Sequence, residues 1–330
     1  MTRWLTRDDL VAGSATGLLH LAPDASFAFP LRPELTELAL RNAGVGERDR
    51  VVVALAEPAG GLWAATAAGV AEAAASVGPR GRMRLHRAIE ALGATTLVAT
   101  PTGAMDFLAR LHLEFLLDPL DLGLRTIVLT GEIASRRTLG HLAAEFDARV
   151  SEVYSSPFSG GALAFRAGED EPLTPLADGV LGFGALAKDS PVDEGLAELV
   201  VTHGEATVRT GHVTADGRLA HTVGDHVLVR GVWVSLPLME KALSKIDGVS
   251  GWELAVSRQG TLDAAVLTVT FSRESLVENP MWRSRVRQAL AALTPISIAV
   301  EVSPVVADSS TPGVATDHRG HHLGRDRALV

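Results

Sequence analysis

The sequence predicts an α/β protein in which a large N-terminal domain, built from mostly parallel sheets and helices, precedes a small α+β C-terminal domain. Three observations support this fold class. Short β-branched runs alternate with longer amphipathic stretches, and 32 glycines mark frequent turns. Hydrophobic residues, chiefly Ala, Val and Leu, make up 47% of the 330 residues. Strands that alternate with helices favour a parallel sheet covered on its faces, and a chain of this length can bury a sizeable core.

The elements of the N-terminal domain follow from hydrophobic periodicity. Apolar β-branched runs predict buried strands, and longer stretches with a period near 3.6 predict helices. The predicted strands are Val51–Leu55, Thr95–Thr100, Thr126–Thr130, Val150–Tyr154 and Ala197–Thr202. The predicted helices are Leu62–Val77, Arg82–Leu92, Ala104–His112 and Ser135–Phe146. Because ligands bind where the strands of such sheets end, we expect a site at their carboxyl ends.

The pattern changes after residue 224, which predicts one domain over residues 1–224 and a second over 225–330. The second domain has shorter elements of mixed type. They are a strand at Val227–Val234, a helix at Pro237–Ser244, paired strands at Trp252–Ser257 and Ala264–Phe271, a helix at Met281–Leu293 and a last strand at Ile296–Val302. The end of the chain after about residue 307 is rich in Ser, Thr, Pro, Gly and His, which predicts an exposed, flexible tail.

Composition excludes several classes of function. A net charge of −9 argues against a nucleic-acid surface, because phosphate binding needs concentrated Lys and Arg. The chain has no cysteine, so disulfides, thiolate nucleophiles and zinc–thiolate sites are excluded. No apolar run reaches the ~18 residues that span a bilayer, and the first ten residues lack a signal-peptide core. We therefore expect a cytoplasmic protein with no nucleic-acid and no membrane partner.

Several short motifs, in order along the chain, resemble segments of the phenylacetate–coenzyme A ligase branch of the adenylate-forming (ANL, AMP-binding) enzymes. Thr6–Leu10 resembles the segment before this family's phosphate loop, and Gly44–Val51 the stretch after it. Ala99–Thr102 resembles the Ala-Thr-Pro-Ser segment that lines the acyl pocket. Thr130-Gly131-Glu132 is similar to a Gly-Gly-Glu turn, and Tyr154-Ser155-Ser156 to the start of a Tyr-Gly-x-Thr-Glu motif.

The resemblance continues through the second half of the chain. Glu198–Thr202 and Arg209–His212 resemble the family's Glu-Leu-Val-Val-Thr and Arg-Thr-Gly-Asp segments. Asp225–Val232 resembles the hinge and opening strand of its mobile C-terminal domain. The likeness covers nearly the whole chain, so it implies a shortened ANL-like fold with a hinge at Asp225. A homodimer is compatible with the same resemblance.

Residues that the family uses for ATP chemistry are replaced. The stretch that matches its phosphate loop, residues 24–30, has no glycine and no lysine. Pro157–Phe158 stands where the family has its magnesium ligand, and His212 where it has a ribose-binding aspartate. No lysine follows Lys245, and Arg319 stands near the family's C-terminal lysine without matching its compact charge. ATP and magnesium are therefore disfavoured as cofactors.

The resemblance places the remaining polar residues around a pocket for an acyl or aryl group. A histidine beside a serine or tyrosine can act as a base in acyl transfer, so the catalytic candidates are His212, Glu132, Tyr154 and Ser155. The substrate-binding candidates are Thr100, Pro101, Thr102, Gly131, Ser156 and Arg209. Structural interpretations compete, since Ser155 can cap a turn and Glu132 can start the next helix.

No metal site is predicted. His318, His321 and His322 could bind a metal ion through their imidazoles, but their surroundings offer no fixed second shell.

Three hypotheses about function remain. The first is a ligase-derived enzyme of specialised metabolism that binds an acyl or aryl ester, with coenzyme A or an acyl carrier protein as the thioester partner, and carries out acyl transfer or condensation without adenylation. The second is a non-catalytic pseudoenzyme that binds a partner. The third is an unorthodox ATP-dependent acyl-CoA ligase. Fold resemblance alone cannot choose between them.

Overall fold

The computed structural model describes residues 3–6, 32–57, 59–79, 81–168, 170–186, 188–192, 196–215 and 217–323. The chain divides into two compact units, Met1–Ala220 and His221–Val330. The sequence predicts a boundary a few residues later, at 224, and the hinge role of Asp225 stays a prediction. No helix within the described ranges is long and apolar enough to cross a membrane.

The first unit contains strands and helices in alternation. Its strands are β1 (Arg3–Leu5), β2 (Arg50–Ala54), β3 (Ala73–Ser76), β4 (Thr96–Ala99), β5 (Thr126–Thr130), β6 (Arg149–Ser155), β7 (Ala162–Arg166), β8 (Thr174–Pro175), β9 (Leu181–Gly184), β10 (Ala197–His203) and β11 (Ala206–Ala215); β12 (Arg218–Val223) carries the boundary between the units. Its helices are α1 (Pro33–Asn42), α2 (Ala59–Ala68), α3 (Arg82–Leu92), α4 (Pro101–Arg110) and α5 (Arg136–Phe146), with a π-helical turn at Leu111–Phe115 and a 3₁₀ turn at Pro119–Leu122.

The main sheet of this unit is mostly parallel, as predicted. In the described part of the chain its strand order is β3-β2-β4-β5-β6-β7-β8. The strands from β3 to β6 pair in parallel, and β7 and β8 add on in antiparallel fashion. Continuous apolar runs such as Thr126–Thr130 are buried along their whole length, because helices cover both faces of the sheet.

The two helical layers use different apolar residues. On one face Leu40 of α1 and Trp63 of α2 pack against Val51, Val98 and Val128. On the other face the buried apolar residues of α3, α4 and α5 cover the sheet; they are Leu85, Ile89, Ala104, Phe107, Leu108, Leu139, Leu142 and Phe146. The parallel strands are therefore anchored on both sides, and their carboxyl ends stay at one edge.

A second sheet packs beside the end of the first. Strands β9, β10 and β11 are antiparallel neighbours, and β1 pairs in parallel with β11. Leu5, Leu199 and Val208 from this sheet form one apolar cluster with Tyr154 and Leu163 from β6 and β7. This cluster brings the end of β6 next to β11.

The second unit has the mixed α+β character that the sequence predicts. Its strands are β13 (His226–Val229), β14 (Val232–Ser235), β15 (Val249–Gln259), β16 (Leu262–Phe271), β17 (Ala299–Val302), β18 (Val314–Asp317) and β19 (His322–Leu323), and its helices are α6 (Leu236–Leu243), α7 (Glu274–Val277) and α8 (Pro280–Leu293). The sheet order is β17-β16-β15-β18, with β13 and β14 forming a separate hairpin. The predicted pairing of β15 with β16 is confirmed as antiparallel.

Three predicted elements differ from the structure. The helix predicted at Leu62–Val77 ends at Ala68, because Ala73–Ser76 pairs with β2 despite its high helix propensity. The strand predicted at Val227–Val234 is a hairpin, since Arg230 and Gly231 adopt positive φ values of 52° and 73°.

The third difference concerns the tail predicted to be flexible after about residue 307. Instead, β18 pairs with β15 and β19 pairs with Thr222–Val223, so the composition of this segment did not reveal its long-range partners.

Candidate functional site

Polar side chains follow three neighbouring parallel strands at one edge of the main sheet. Thr100 and Thr102 follow β4, Thr130 and Glu132 lie at the end of β5, and Ser155 ends β6. Because parallel strands end at the same edge, these five residues form one group, which we call the carboxyl-edge cluster. Such an edge is where ligands bind in sheets of this kind.

Glu132 is the charged member of the carboxyl-edge cluster. Its Oε2 accepts a hydrogen bond from the Thr102 backbone N–H at 2.9 Å, and the Thr102 hydroxyl lies 2.7 and 2.6 Å from Oε1 and Oε2. Both residues are buried. Thr102 belongs to the first turn of α4, where the helix dipole favours a negative charge. The structure therefore brings together one predicted catalytic residue and one predicted substrate-binding residue.

Thr100 and Pro101 build the start of α4. The Thr100 hydroxyl accepts a hydrogen bond from the Gly103 N–H at 3.1 Å, and Pro101 occupies the first helical turn. Thr100 stays partly exposed, whereas Pro101 is buried. Their roles in substrate binding stay predictions.

Ser155 ends β6, and Gly131 follows β5, at the carboxyl-edge cluster. The Ser155 hydroxyl forms a hydrogen bond of 2.5 Å with the Thr130 hydroxyl, and Ser155 is partly exposed. Gly131 is exposed and has a φ of 85°, so the turn after β5 needs a residue without a side chain. This turn presents Glu132 to α4.

Tyr154 and His212 form a buried pair between the two sheets of the first unit. The Tyr154 hydroxyl lies 3.0 Å from His212 Nδ1, and the rings meet edge to face with centroids 5.1 Å apart. Their exposed fractions are 3% and 5%. With Nδ1–H donating to the Tyr154 oxygen, the neutral imidazole carries its lone pair on Nε2. The two residues are 58 positions apart in the sequence, and only the fold brings them into contact.

The backbone around His212 is held by residues that the sequence analysis did not select. Glu198 accepts hydrogen bonds from the Gly211 N–H at 2.8 Å and from Arg209 Nη1 at 2.6 Å. The Thr210 hydroxyl donates to the Leu199 carbonyl and accepts from the His212 N–H. The signal was present, because Glu198 begins one of the family-like motifs.

Arg209 is engaged by the protein itself. Besides Glu198, its guanidinium contacts the Asp189 carboxylate at 3.0 Å and lies 5.0 Å from the Trp4 ring centroid. Its predicted role in substrate binding stays a prediction. In the structure it joins the Glu198 strand to the loop at Asp189.

Ser156 and Phe158 occupy the turn where the resemblance places a magnesium ligand. The Ser156 hydroxyl accepts hydrogen bonds from the Phe158 and Ser159 N–H groups, both at 3.1 Å. Trp63 Nε1 donates to the Gly160 carbonyl and holds the other end of the turn. Phe158 is 1% exposed and packs in the apolar cluster, so it offers no oxygen ligand for magnesium. The binding role of Ser156 stays a prediction.

Arg319, which stands near the family's C-terminal lysine, lies in a buried ion cluster of the second unit. It contacts Asp263 at 2.5 Å and Asp317 at 2.8 Å, and it donates to the Leu228 carbonyl at 2.8 Å. Burial alone would lower the pKa of the guanidinium, but the hydrogen bond with Asp317 and the charge of Asp263 outweigh it and raise the pKa. We call Arg319, Asp263 and Asp317 the C-terminal ion cluster. Arg319 therefore joins residues of the second unit to one another.

His318, His321 and His322 lie in the segment that carries the C-terminal ion cluster. His322 Nδ1 forms a hydrogen bond of 2.9 Å with the Thr222 hydroxyl. Burial lowers the pKa of His322 to about 4, and burial together with the Arg319 charge lowers the pKa of His321. Over the described residues, no group of three or more His, Asp or Glu side chains is arranged to hold a metal ion.

Two further sequence predictions concern Asp225 and residues 24–30. Asp225 accepts the Leu236 N–H through its backbone carbonyl, and nothing in that contact tests its role as a hinge. Residues 24–30, which match the family's phosphate loop, lie outside the described residues.

No protein-family model matches the sequence, and no curated protein matches it either. The structure is similar to that of 2-hydroxyisobutyryl-CoA ligase in complex with 2-HIB-AMP and CoA, with a TM-score of 0.71 and 16% identity over 96% of this chain and 74% of that chain. It is also similar to malonyl-CoA ligase with methylmalonyl-CoA and AMP bound, with a TM-score of 0.61 and 16% identity over 83% of this chain and 66% of that chain.

A third similar structure is the amide bond synthetase McbA from Marinactinospora thermotolerans, with a TM-score of 0.61 and 16% identity over 83% of this chain and 62% of that chain. The chain thus spans between 62% and 74% of the length of these three proteins. At such low identity the likeness shows the fold alone. The likeness confirms the predicted α/β fold class with its mostly parallel sheet, and it does not distinguish the phenylacetate–coenzyme A ligase branch from others.

Proposed function

We propose that this chain binds an acyl or aryl ester or thioester and transfers its acyl group to an acceptor without forming an adenylate. The observation that carries the proposal is the hydrogen bond between Tyr154 and His212. Position 212, where the resembled family has a ribose-binding aspartate, carries a histidine. The Tyr154 hydroxyl orients its imidazole, and both side chains are buried. Such an imidazole is suited to proton transfer.

Two further positions argue against ATP-dependent activation. Phe158 is packed in the apolar core where a magnesium ligand would be needed. Arg319 is engaged by two carboxylates where a mobile cation would be needed to neutralise charge on the adenylate. Neither side chain fits ATP or magnesium. A substrate that is already an ester or thioester needs neither a magnesium ligand nor a mobile cation for its activation. Its proposed leaving group is coenzyme A or a carrier-protein thiol.

The proposed reaction is a base-assisted acyl transfer. His212 takes the proton from the hydroxyl or amine of the acceptor, whose lone pair forms a bond to the carbonyl carbon of the thioester. The C–S bond breaks, and the departing thiolate receives the proton from His212. Tyr154 holds the imidazole in place throughout. Ser155 and Glu132 line the carboxyl edge at which the acyl group is proposed to bind.

Thiol release gives a direct test of this proposal. The protein has no cysteine, so a thiol reagent detects only the coenzyme A that leaves. Phenylacetyl-CoA serves as donor and hydroxylamine as acceptor. We expect kcat/KM to fall about 100-fold in His212→Ala, as for loss of a general base, and about fivefold in Tyr154→Phe, as for loss of one hydrogen bond of ~1 kcal/mol.

His141→Ala is a matched control, because His141 lies on α5 with a side chain that is 46% exposed. This variant should keep the rate of the unchanged protein. A His212→Ala variant with full thiol release would show that His212 is no base. Release of AMP from ATP, phenylacetate and coenzyme A would contradict the proposal as a whole and favour the ligase alternative.

A non-catalytic binding protein is the second candidate. The burial of Tyr154 and His212 favours it, since a base must reach its substrate. Tyr154 is the single tyrosine of the chain, so tyrosine labelled with carbon-13 gives one NMR signal for this site. Ligands that shift this signal without any thiol release would favour the binding protein.

A further inference from the structure

We propose that Glu198 is a positioning residue of the candidate site: its carboxylate holds an irregular part of β11 and thereby places the His212 imidazole against Tyr154. The inference rests on the proposed function, because it concerns the base that is named there. Glu198 does not touch the substrate in this scheme and acts only through His212.

The backbone that carries His212 departs from regular strand pairing. The ladder between β10 and β11 is interrupted by a β-bulge at Leu199. Opposite this one residue of β10, β11 places three residues, Thr210, Gly211 and His212. Gly211 has a φ of 78°, a value that favours glycine. Because a bulge re-aims the side chains of its strand, the direction of the His212 imidazole depends on how this bulge is held.

Side chains accept the backbone N–H groups of the bulge. Glu198 Oε1 accepts the Gly211 N–H at 2.8 Å, and the Thr210 hydroxyl accepts the His212 N–H at 3.1 Å. The same hydroxyl donates to the Leu199 carbonyl at 2.8 Å. Glu198 is 5% exposed, and Thr210 is fully buried. A buried N–H group that loses its acceptor costs free energy, so these two side chains set the shape of the bulge.

Arg209 holds the other oxygen of Glu198. Its Nη1 donates to Glu198 Oε2 at 2.6 Å, while its Nη2 lies 3.0 Å from the Asp189 carboxylate and 2.7 Å from the Lys188 carbonyl. The guanidinium is therefore fixed by the loop at Asp189 as well as by Glu198. The Glu198 carboxylate joins this fixed cation to Gly211, with a different oxygen for each.

A glutamine in place of Glu198 cannot serve both of these donors. Its amide has one acceptor oxygen, and its NH₂ group would then face either the Arg209 guanidinium or the Gly211 N–H. The substitution keeps the size of the side chain but loosens the bulge. Because a base acts in the transition state, displacement of His212 should lower kcat more than it changes KM.

The test combines thiol release from phenylacetyl-CoA and hydroxylamine with the NMR signal of carbon-13-labelled Tyr154, the single tyrosine. In Glu198→Gln we expect kcat to fall about tenfold and KM to change less than about twofold. The Tyr154 signal should shift, since the tyrosine contacts the imidazole. In Glu198→Gln/Arg209→Met the amide oxygen is available to Gly211, so kcat should rise at least about threefold above that of Glu198→Gln.

Asp189→Asn is the matched control, since it removes the other carboxylate of Arg209 from a side chain that is 65% exposed. It should keep the kcat and the Tyr154 signal of the unchanged protein. Hydrogen exchange of the unchanged protein covers the case in which Glu198→Gln does not fold. The Gly211 amide should exchange at least about 100-fold more slowly than in an unstructured peptide, and exchange at the peptide rate would overturn the inference.

The outcomes separate the inference from the proposed function. If Glu198→Gln keeps both kcat and the Tyr154 signal while His212→Ala loses thiol release, Glu198 has no positioning role and acyl transfer stands. A fall in kcat that is as large in Asp189→Asn would also overturn the role of Glu198. If the unchanged protein releases no thiol, the proposed function is wrong, whereas a Tyr154 signal that shifts only in Glu198→Gln would still support the placement of His212 by Glu198.

Discussion

The carboxyl-edge cluster and the C-terminal ion cluster are both places where the family resemblance predicts functional groups, and they differ in the exposure of the residues around their charged side chains. In the first, Glu132 is bound by a hydroxyl and an N–H group, and its neighbours reach solvent. In the second, Arg319 is compensated by Asp263 and Asp317 and is 4% exposed. The comparison teaches that a residue at a functional position can be committed to stability.

The physical reason is the energy of buried charge. An ion that is removed from water needs close partners of opposite charge, so Arg319 and its carboxylates can hardly separate to serve a substrate. Glu132 accepts hydrogen bonds from Thr102 at an edge where Gly131, Thr100 and Ser155 are exposed or partly exposed. Three predictions test whether the two regions differ in this way, beginning with the largest expected effect.

Replacing Arg319 by Met should lower the free energy of unfolding of the second unit by about 3–5 kcal/mol, because Asp263 and Asp317 would remain buried without their cation. Urea unfolding followed by tryptophan fluorescence, to which Trp233, Trp252 and Trp282 of the second unit contribute, measures the loss. Arg258→Met is a matched control: its Nε also lies 2.7 Å from Asp263, but the side chain is 37% exposed. This control should cost less than about 1 kcal/mol. Equal losses in the two variants would contradict a special role for Arg319.

Acid should lower the free energy of unfolding of the second unit at pH values above those at which carboxylates usually titrate. The pKa of His322 is about 4 in the folded protein, below its ordinary 6.5, chiefly because of burial. Between these values the unfolded chain binds the proton more strongly, so stability falls as the pH drops. The expected loss from pH 7.5 to pH 5 is about 2 kcal/mol.

Asp317 extends this loss to lower pH. Burial alone would raise the pKa of its carboxyl, but the hydrogen bond and charge of Arg319 lower the pKa below 3.8, so its contribution disappears only at still lower pH. Urea midpoints at pH 7.5 and pH 5 measure the His322 effect. The loss should shrink in His322→Asn and persist in His318→Asn, whose side chain is exposed. The same loss in all three proteins would contradict this assignment.

The smallest expected effect compares two helix caps. Thr100 accepts the Gly103 N–H at the start of α4, and Ser135 accepts the Thr138 N–H at the start of α5, both at 3.1 Å. Thr100→Ala and Ser135→Ala should each reduce stability by about 1 kcal/mol. Only Thr100→Ala should weaken binding of the thioester phenylacetyl-CoA in calorimetry, since Thr100 belongs to the carboxyl-edge cluster. Equal thioester affinities in the two variants would place the substrate elsewhere.

Much of the fold could be predicted from the sequence because the deciding signals are local. The strand at Thr126–Thr130 and the helix at Arg82–Leu92 have the predicted bounds, since each is a single run with a clear period. The errors occur where a distant partner overrides local preference. Ala73–Ser76 is a strand only because β2 lies beside it, and the turn at Arg230 interrupts an otherwise continuous apolar run.

The candidate site could be predicted in part. The motifs selected Glu132, Thr102, Tyr154 and His212, but they did not reveal the pairing of Glu132 with Thr102 or of Tyr154 with His212. They also missed Glu198, which holds the segment before His212. A motif names residues within a short stretch, whereas each of these contacts joins different strands or helices.

The sequence by itself determined the alternating α/β pattern and the absence of cysteine, and it carries the motifs on which the family resemblance rests. These properties depend on residue type and on spacing within one element. Only the tertiary structure decided that Arg319 lies in a closed ion cluster while Glu132 lies at a partly open sheet edge. The reason is physical: burial and charge compensation are set by side chains that are distant in the sequence and meet only after the chain has folded.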